Sequence, residues 1–123
     1  MSTGIIVFAH GSRVESANES VRAVAAGLAR AGGFCHVEAA FLELGQPDLE
    51  TAADKLARLG VNRLVVVPYF LTLGLHMERD LPVLIEKISC KHNGLQIAVT
   101  TPLEGHAGLV EILLDRVRSA SPL

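Results

Sequence analysis

Three histidines and two glutamates in this chain follow short apolar runs, each at the start of a polar stretch. His10 comes after Ile5-Ile6-Val7-Phe8-Ala9 and Glu43 after a run ending at Leu42. His76 lies beyond the β-branched Leu64-Val65-Val66-Val67, and Glu104 and His106 lie beyond Leu95 to Thr100. Imidazole and carboxylate together suit Fe, Co, Ni or Zn better than Mg or Ca, which prefer all-oxygen shells. The same groups accept protons near neutral pH. A site with both abilities could insert a metal into a ligand that must lose N–H protons. That is one use of these groups among several, and plain loop residues are another.

Such side chains act together only where the fold gathers them. Ile5 to Ala9 is a continuous apolar run, the mark of a strand buried on both faces. Ala17, Val21, Val24, Ala25, Leu28 and Ala31 recur at helical spacing, which predicts a helix over 16–31 stopped by Gly32-Gly33. A second strand is expected over 35–42. Pro47-Asp48 then opens a helix striped by Leu49, Ala52, Ala53, Leu56 and Leu59 and closed by Gly60.

The third strand is 63–67, followed by an irregular loop over 68–74. Leu81, Leu84, Ile85 and Ile88 mark a third helix, with Pro82 expected in its first turn, where a missing N–H is harmless. A fourth strand over 95–100 and a helix over 107–117, with Leu109, Val110, Leu113, Leu114 and Val117 on one side, complete the pattern. The alternation predicts an α/β fold over 1–123: a single-domain parallel four-stranded sheet with helices on both faces, (βα)₄. Right-handed crossovers put every strand-to-helix loop at the carboxyl edge of the sheet. Open α/β sheets bind ligands there, so His10, Glu43, His76, Glu104 and His106 are expected to converge on one rim.

Composition narrows the field further. The chain has 123 residues, half of them hydrophobic, enough for one domain with its own core. Lys plus Arg number 11 against 13 Asp plus Glu, and Trp is absent, so no nucleic-acid partner is expected. The N-terminal residues carry no export signal, and no apolar stretch approaches the roughly 20 residues needed to span a bilayer. A cytoplasmic protein with no membrane partner is the expectation. Cys35 and Cys90 stand outside any C-x-x-C pair and read as reduced thiols. His36 and His92 read as structural or solvent-exposed. G-x-S-x-G is missing, which excludes an α/β serine hydrolase, and Pro68-Tyr69 stands where a receiver domain needs aspartate. Arg13 is the only cation near His10, too few for phosphoryl transfer.

Taken in order, the motifs are A-H-G-S-R at 9–13, Asn18-Glu19, F-L-E-L at 41–44 and Q-P-D-L at 46–49. They continue with V-P-Y-F-L-T-L-G-L-H at 67–76, D-L-P at 80–82 and P-L-E-G-H at 102–106. This series resembles the small sirohydrochlorin chelatases of the CbiX type, relatives of the two-half SirB-like chelatases in the class II chelatase group. The resemblance implies that His10 and His76 stand at the metal, at least one assisting proton removal, and that Glu43 is a metal ligand or proton acceptor. Ser12 and Arg13 would lie beside the macrocycle, Arg13 clamping one of its carboxylates. The family often reads P-L-G-x-H-P where this chain reads P-L-E-G-H-A, so His106 is left between a supporting role and a helix-start role.

The implied activity is insertion of a divalent metal, Co²⁺ foremost with Fe²⁺ or Ni²⁺ as alternatives, into sirohydrochlorin in cobalamin or siroheme biosynthesis. The metal is then a substrate, and no tightly bound cofactor is expected. The longer relatives have two such halves facing each other, so a homodimer is expected to supply the second wall. The rival is a non-catalytic carrier of a metal or a tetrapyrrole, using the same side chains.

Overall fold

A computed structural model describes residues 2–122 of the chain. The apolar runs form its strands. β1 (Thr3–Ala9) is buried from Gly4 onward, as a strand covered on both faces must be. It pairs in parallel with β2 (His36–Phe41) on one side and β3 (Arg63–Pro68) on the other, and β4 (Gln96–Val99) adds beyond β3. The order is β2-β1-β3-β4. Helices α1 (Glu15–Gly32), α2 (Leu49–Arg58), α3 (Leu75–Lys91) and α4 (Gly108–Ser119) alternate with the strands, giving the expected α/β architecture.

Successive strand residues point to opposite faces, so one continuous apolar strand feeds two cores. Val7 and Ala9 join Ala39 and Phe41 beneath Val21, Ala25 and Leu28 of α1. Ile6 and Phe8 join Leu64 and Val66 beneath Leu49 and Leu56 of α2 and Leu81 and Ile88 of α3. Local chemistry sets the helix ends. Gly33, at φ 67°, takes the left-handed stop that the Gly pair predicts, its N–H donating to the Ala29 carbonyl. The Asp48 carboxylate accepts the Thr51 N–H at 2.8 Å and opens α2. Hydrogen bonds from Thr51 hold that carboxyl below the usual aspartate value.

Two expectations need correction. α3 begins at Leu75, so Pro82 sits in its third turn and not its first. The opening of the helix is mostly exposed and polar, with only Met77 anchoring it before Leu81, so the continuous apolar stripe starts late. Pro82 deprives the Glu78 carbonyl of its helical donor, but both residues lie on the exposed side, where water can replace the lost bond. The second correction concerns α4. Its stripe was expected to cover the sheet, yet none of its residues is buried.

At their far ends α2 and α3 are joined by charge. Asp54 accepts from Lys91 Nζ at 2.7 Å and lies 2.6 Å from His92 Nε2, so the half-buried His92 is structural, as expected. Lys91, and after it His92, hold the Asp54 carboxyl below its ordinary value of 3.8. A depressed carboxyl contributes stability above its unfolded pKa and loses it as pH falls through the lower folded one. Asp54→Asn is therefore expected to lower the melting temperature by a few degrees at neutral pH. Thermal melts from pH 7 to pH 2 check this, because the gap should narrow as pH falls below the ordinary carboxylate value. A gap unchanged down to pH 2 would show that the charge contributes nothing.

Candidate functional site

The site forms where β1 and β2 end. Beyond the last strand pair, Ala9 with Phe41, the ladder continues into the loops. The Leu42 N–H donates to the Ala9 carbonyl at 2.9 Å and the Glu43 N–H to the His10 carbonyl at 3.1 Å. This extension sets two side chains next to each other, His10 Nε2 lying 3.1 Å from Glu43 Oε1. Each side chain is 58% exposed, so both groups are reached from solvent. Close approach of the two loops depends on Gly11. Its φ is +95°, and a Cβ there would stand 1.7 Å from the Glu43 carbonyl oxygen.

The spacing of the pair has chemical meaning. Two donors each ~2.1 Å from one divalent ion, at bond angles of roughly 90–109°, stand about 3.0–3.4 Å apart. His10 and Glu43 meet that separation, so one imidazole nitrogen and one carboxylate oxygen can share an ion without moving far.

The β1–α1 loop beside the pair holds Ser12 and Arg13. Ser12 Oγ accepts the Val14 N–H at 3.0 Å, which shapes the turn into α1. Arg13 is exposed, and the arginines that form ion pairs among the described residues are Arg22 and Arg116, so its guanidinium is unengaged. The other loops at this edge are joined by backbone. Tyr69 N–H donates to the Phe8 carbonyl at 2.7 Å, and Leu103 and Glu104 donate to the Phe70 and Leu71 carbonyls at 2.9 Å each. His76 lies in the exposed first turn of α3, on a helix and not in a loop. His106 Nδ1 accepts the Gly108 N–H at 2.8 Å, which favours the helix-start role at the entry to α4.

The expected rim of five groups is thus realised as one close pair. Among the described residues no three His, Cys, Asp or Glu side chains are near enough to hold one ion together. His76, Glu104 and His106 share the edge without joining His10 and Glu43. Sequence reasoning gave no role to Asn18, although it is only 1% exposed and bridges the loops on both sides of the pair. The signal was available: Asn18 continues the apolar stripe Val21, Ala25, Leu28, and a polar residue in a core position needs partners.

The order in which strands are added reverses at β1: β2 lies on one side of it, and β3, the next strand in the chain, on the other, all running parallel. A crevice at such a reversal is where open α/β sheets take ligands, and His10 stands at its lip. Fold and pair together define an open parallel α/β protein with an imidazole and a carboxylate side by side at the carboxyl edge of its sheet. The chain belongs to the CbiX family, whose model matches residues 4–120.

It is 31% identical over 115 residues to the sirohydrochlorin ferrochelatase of Arabidopsis thaliana chloroplasts, with 94% of this chain covering 51% of that protein. It is 35% identical over 114 residues to the sirohydrochlorin cobaltochelatase of Sulfurisphaera tokodaii, with 93% of this chain covering 90% of that one. The cobalt complex of the sirohydrochlorin chelatase SirB from Bacillus subtilis subspecies spizizenii superposes with a TM-score of 0.88 at 26% identity. That match covers 96% of this chain and 50% of SirB. The chain therefore spans about half the length of the plant and Bacillus proteins and nearly all of the archaeal one.

Proposed function

We propose that this protein is a sirohydrochlorin chelatase that inserts a divalent metal, Co²⁺ foremost with Fe²⁺ or Ni²⁺ as alternatives, into the macrocycle. The observation that carries this reading is the His10 Nε2 to Glu43 Oε1 separation of 3.1 Å at the carboxyl edge. Membership of a family with cobalt- and iron-inserting relatives supports the substrate class. The reaction exchanges one divalent ion for two pyrrole N–H protons, so the site must release a metal and accept protons. Two protein donors hold an ion weakly enough to hand it to four ring nitrogens. Imidazole and carboxylate are also the groups that take protons near neutral pH.

In this reading His10 and Glu43 deliver the ion and receive protons, and His76 receives a proton or guides the ion from α3. Ser12 and the unengaged Arg13 hold a macrocycle carboxylate, the guanidinium by a two-point contact. The metal enters as a substrate. Two exposed free thiols, Cys35 and Cys90, fit a reducing cytoplasmic setting. No helix among the described residues is long and apolar enough to cross a membrane.

The second wall of the cleft is supplied by another copy of this chain. Supporting this is α4, whose Leu113 and Val117 are 65% and 72% exposed, together with the half-length match to longer chelatases. Leu113→Glu with Val117→Glu is expected to convert a dimer to a monomer in sedimentation velocity at tens of micromolar. A wild-type monomer at that concentration would sink the dimer.

The decisive assay is anaerobic absorbance of the purified protein with sirohydrochlorin and, separately, Co²⁺, Ni²⁺ and Fe²⁺. Several turnovers per subunit are expected. A spectral change without turnover would mean a carrier, and no response would overturn the reading.

A further inference from the structure

Asn18 lies in the first turn of α1, where a carboxamide would ordinarily face water, yet it is only 1% exposed. Most of its hydrogen bonds are directed at the two loops of the site. Its Oδ1 accepts the Ser12 N–H at 2.9 Å. Its Nδ2 donates to the Ser12 carbonyl at 2.9 Å and to the Leu44 carbonyl at 3.0 Å, with Glu15 Oε2 at 3.3 Å. Ser12 is two residues from His10, and Leu44 is adjacent to Glu43. One carboxamide thus joins the loop that carries the imidazole to the loop that carries the carboxylate.

Leu44 explains why the second loop needs holding. Its φ is +58°, a left-handed conformation that a branched side chain adopts only when its surroundings enforce it. Arg22, one turn further along α1, supports the same loop by donating to the Gln46 carbonyl at 2.9 Å while its guanidinium lies 5.2 Å over the Phe41 ring. Gly45 leaves room for the clasp, since a Cβ there would stand 3.1 Å from Asn18 Nδ2.

We infer that Asn18 is a positioning residue that sets the His10 to Glu43 separation by tying Ser12 to Leu44, and so governs how tightly the pair takes a divalent ion. The inference rests on the chelatase reading only for the ion. The clasp itself is a matter of loop geometry.

Asn18→Asp tests it, because it keeps the shape and the acceptor but removes both N–H donors and sets a carboxylate against two carbonyl oxygens. Asn18→Ser is the second variant should the first fail to fold. Two readouts are taken on each: amide hydrogen exchange, and binding of Co²⁺ alone by titration calorimetry, in the Glu43 and Glu43→Gln backgrounds. Expected is a tenfold or greater rise in exchange at Glu43, and in Asn18→Ser, which also loses the acceptor, at Ser12 as well, with Val66 in β3 unchanged. Expected too is about tenfold weaker Co²⁺ binding that disappears in the Glu43→Gln background.

Exchange rising equally at Val66, or equal loss of Co²⁺ binding in both backgrounds, would make Asn18 a support of the fold alone and overturn the proposal. Unchanged exchange at Glu43 would overturn it as well. Wild-type protein that takes up no Co²⁺, with the local rise in exchange still seen in the variants, would sink the chelatase reading and leave the clasp standing.

Discussion

His10→Ala is expected to lower the rate of metal insertion by about 10²-fold or more, the usual contribution of a positioned general base, and more if the imidazole also delivers the ion. The fold should survive. The side chain is more than half exposed and belongs to neither core cluster, and an exposed pair with Glu43 is worth only about 0–1 kcal/mol. Steady-state rates and thermal melts on the same samples separate the two effects. Glu43→Gln should follow His10→Ala in direction, because it keeps the shape of the pair and removes the charge. His76→Ala should also fall by about 10²-fold, yet in combination with His10→Ala it should cost more than either alone, since the two stand on different elements. A His10→Ala protein with activity within threefold of wild type would remove the pair from the chemistry.

Gly11→Ala should have the largest effect of any single methyl group in this chain. The new Cβ would be placed 1.7 Å from the Glu43 carbonyl, far inside contact distance, on a backbone at φ +95° that alanine resists. The obstacle is main chain, so no side chain can swing aside to relieve it. The β1 and β2 loops must part, which breaks the Glu43 N–H to His10 carbonyl bond and widens the pair above it. Backbone strain and overpacking together cost roughly 2–4 kcal/mol, or about 10 °C in melting temperature for a domain of this size. Insertion should fall at least as far as in Glu43→Gln. Calorimetry and the absorbance assay read both losses, and a variant that keeps its stability would show that the loops do not meet here.

Much of the scaffold was legible because two signals agree over most of the chain. The run Ile5 to Ala9 could only be a strand buried on both faces, and Asp48 and Gly33 punctuate helices by chemistry that is local in sequence. Where the signals part, the reading fails. The start of α3 is exposed and polar, so its apolar stripe becomes visible only near Leu81, and Pro82 was assigned to the wrong turn. The stripe on α4 is real, but a stripe says which face seeks cover and not whether this chain supplies the cover.

The site was legible in its residue types more than in its geometry. His10 and Glu43 come together because parallel pairing continues one step past Ala9 and Phe41, a register that no local pattern reveals. His76 follows a strand as they do, yet its position depends on where α3 begins. The clasp by Asn18 needed the Leu44 conformation, which the residue type gives no reason to expect.

The loops of the carboxyl edge are joined to one another by main-chain bonds: Glu43 to His10, Tyr69 to Phe8, Leu103 to Phe70 and Glu104 to Leu71. Main-chain bonds are indifferent to which side chain each residue carries. Substitution at 10, 43 or 104 can therefore exchange one side chain for another while the loop that bears it keeps its course. An edge built this way can change its outward side chains one at a time, provided the ties from Asn18 and Arg22 are kept.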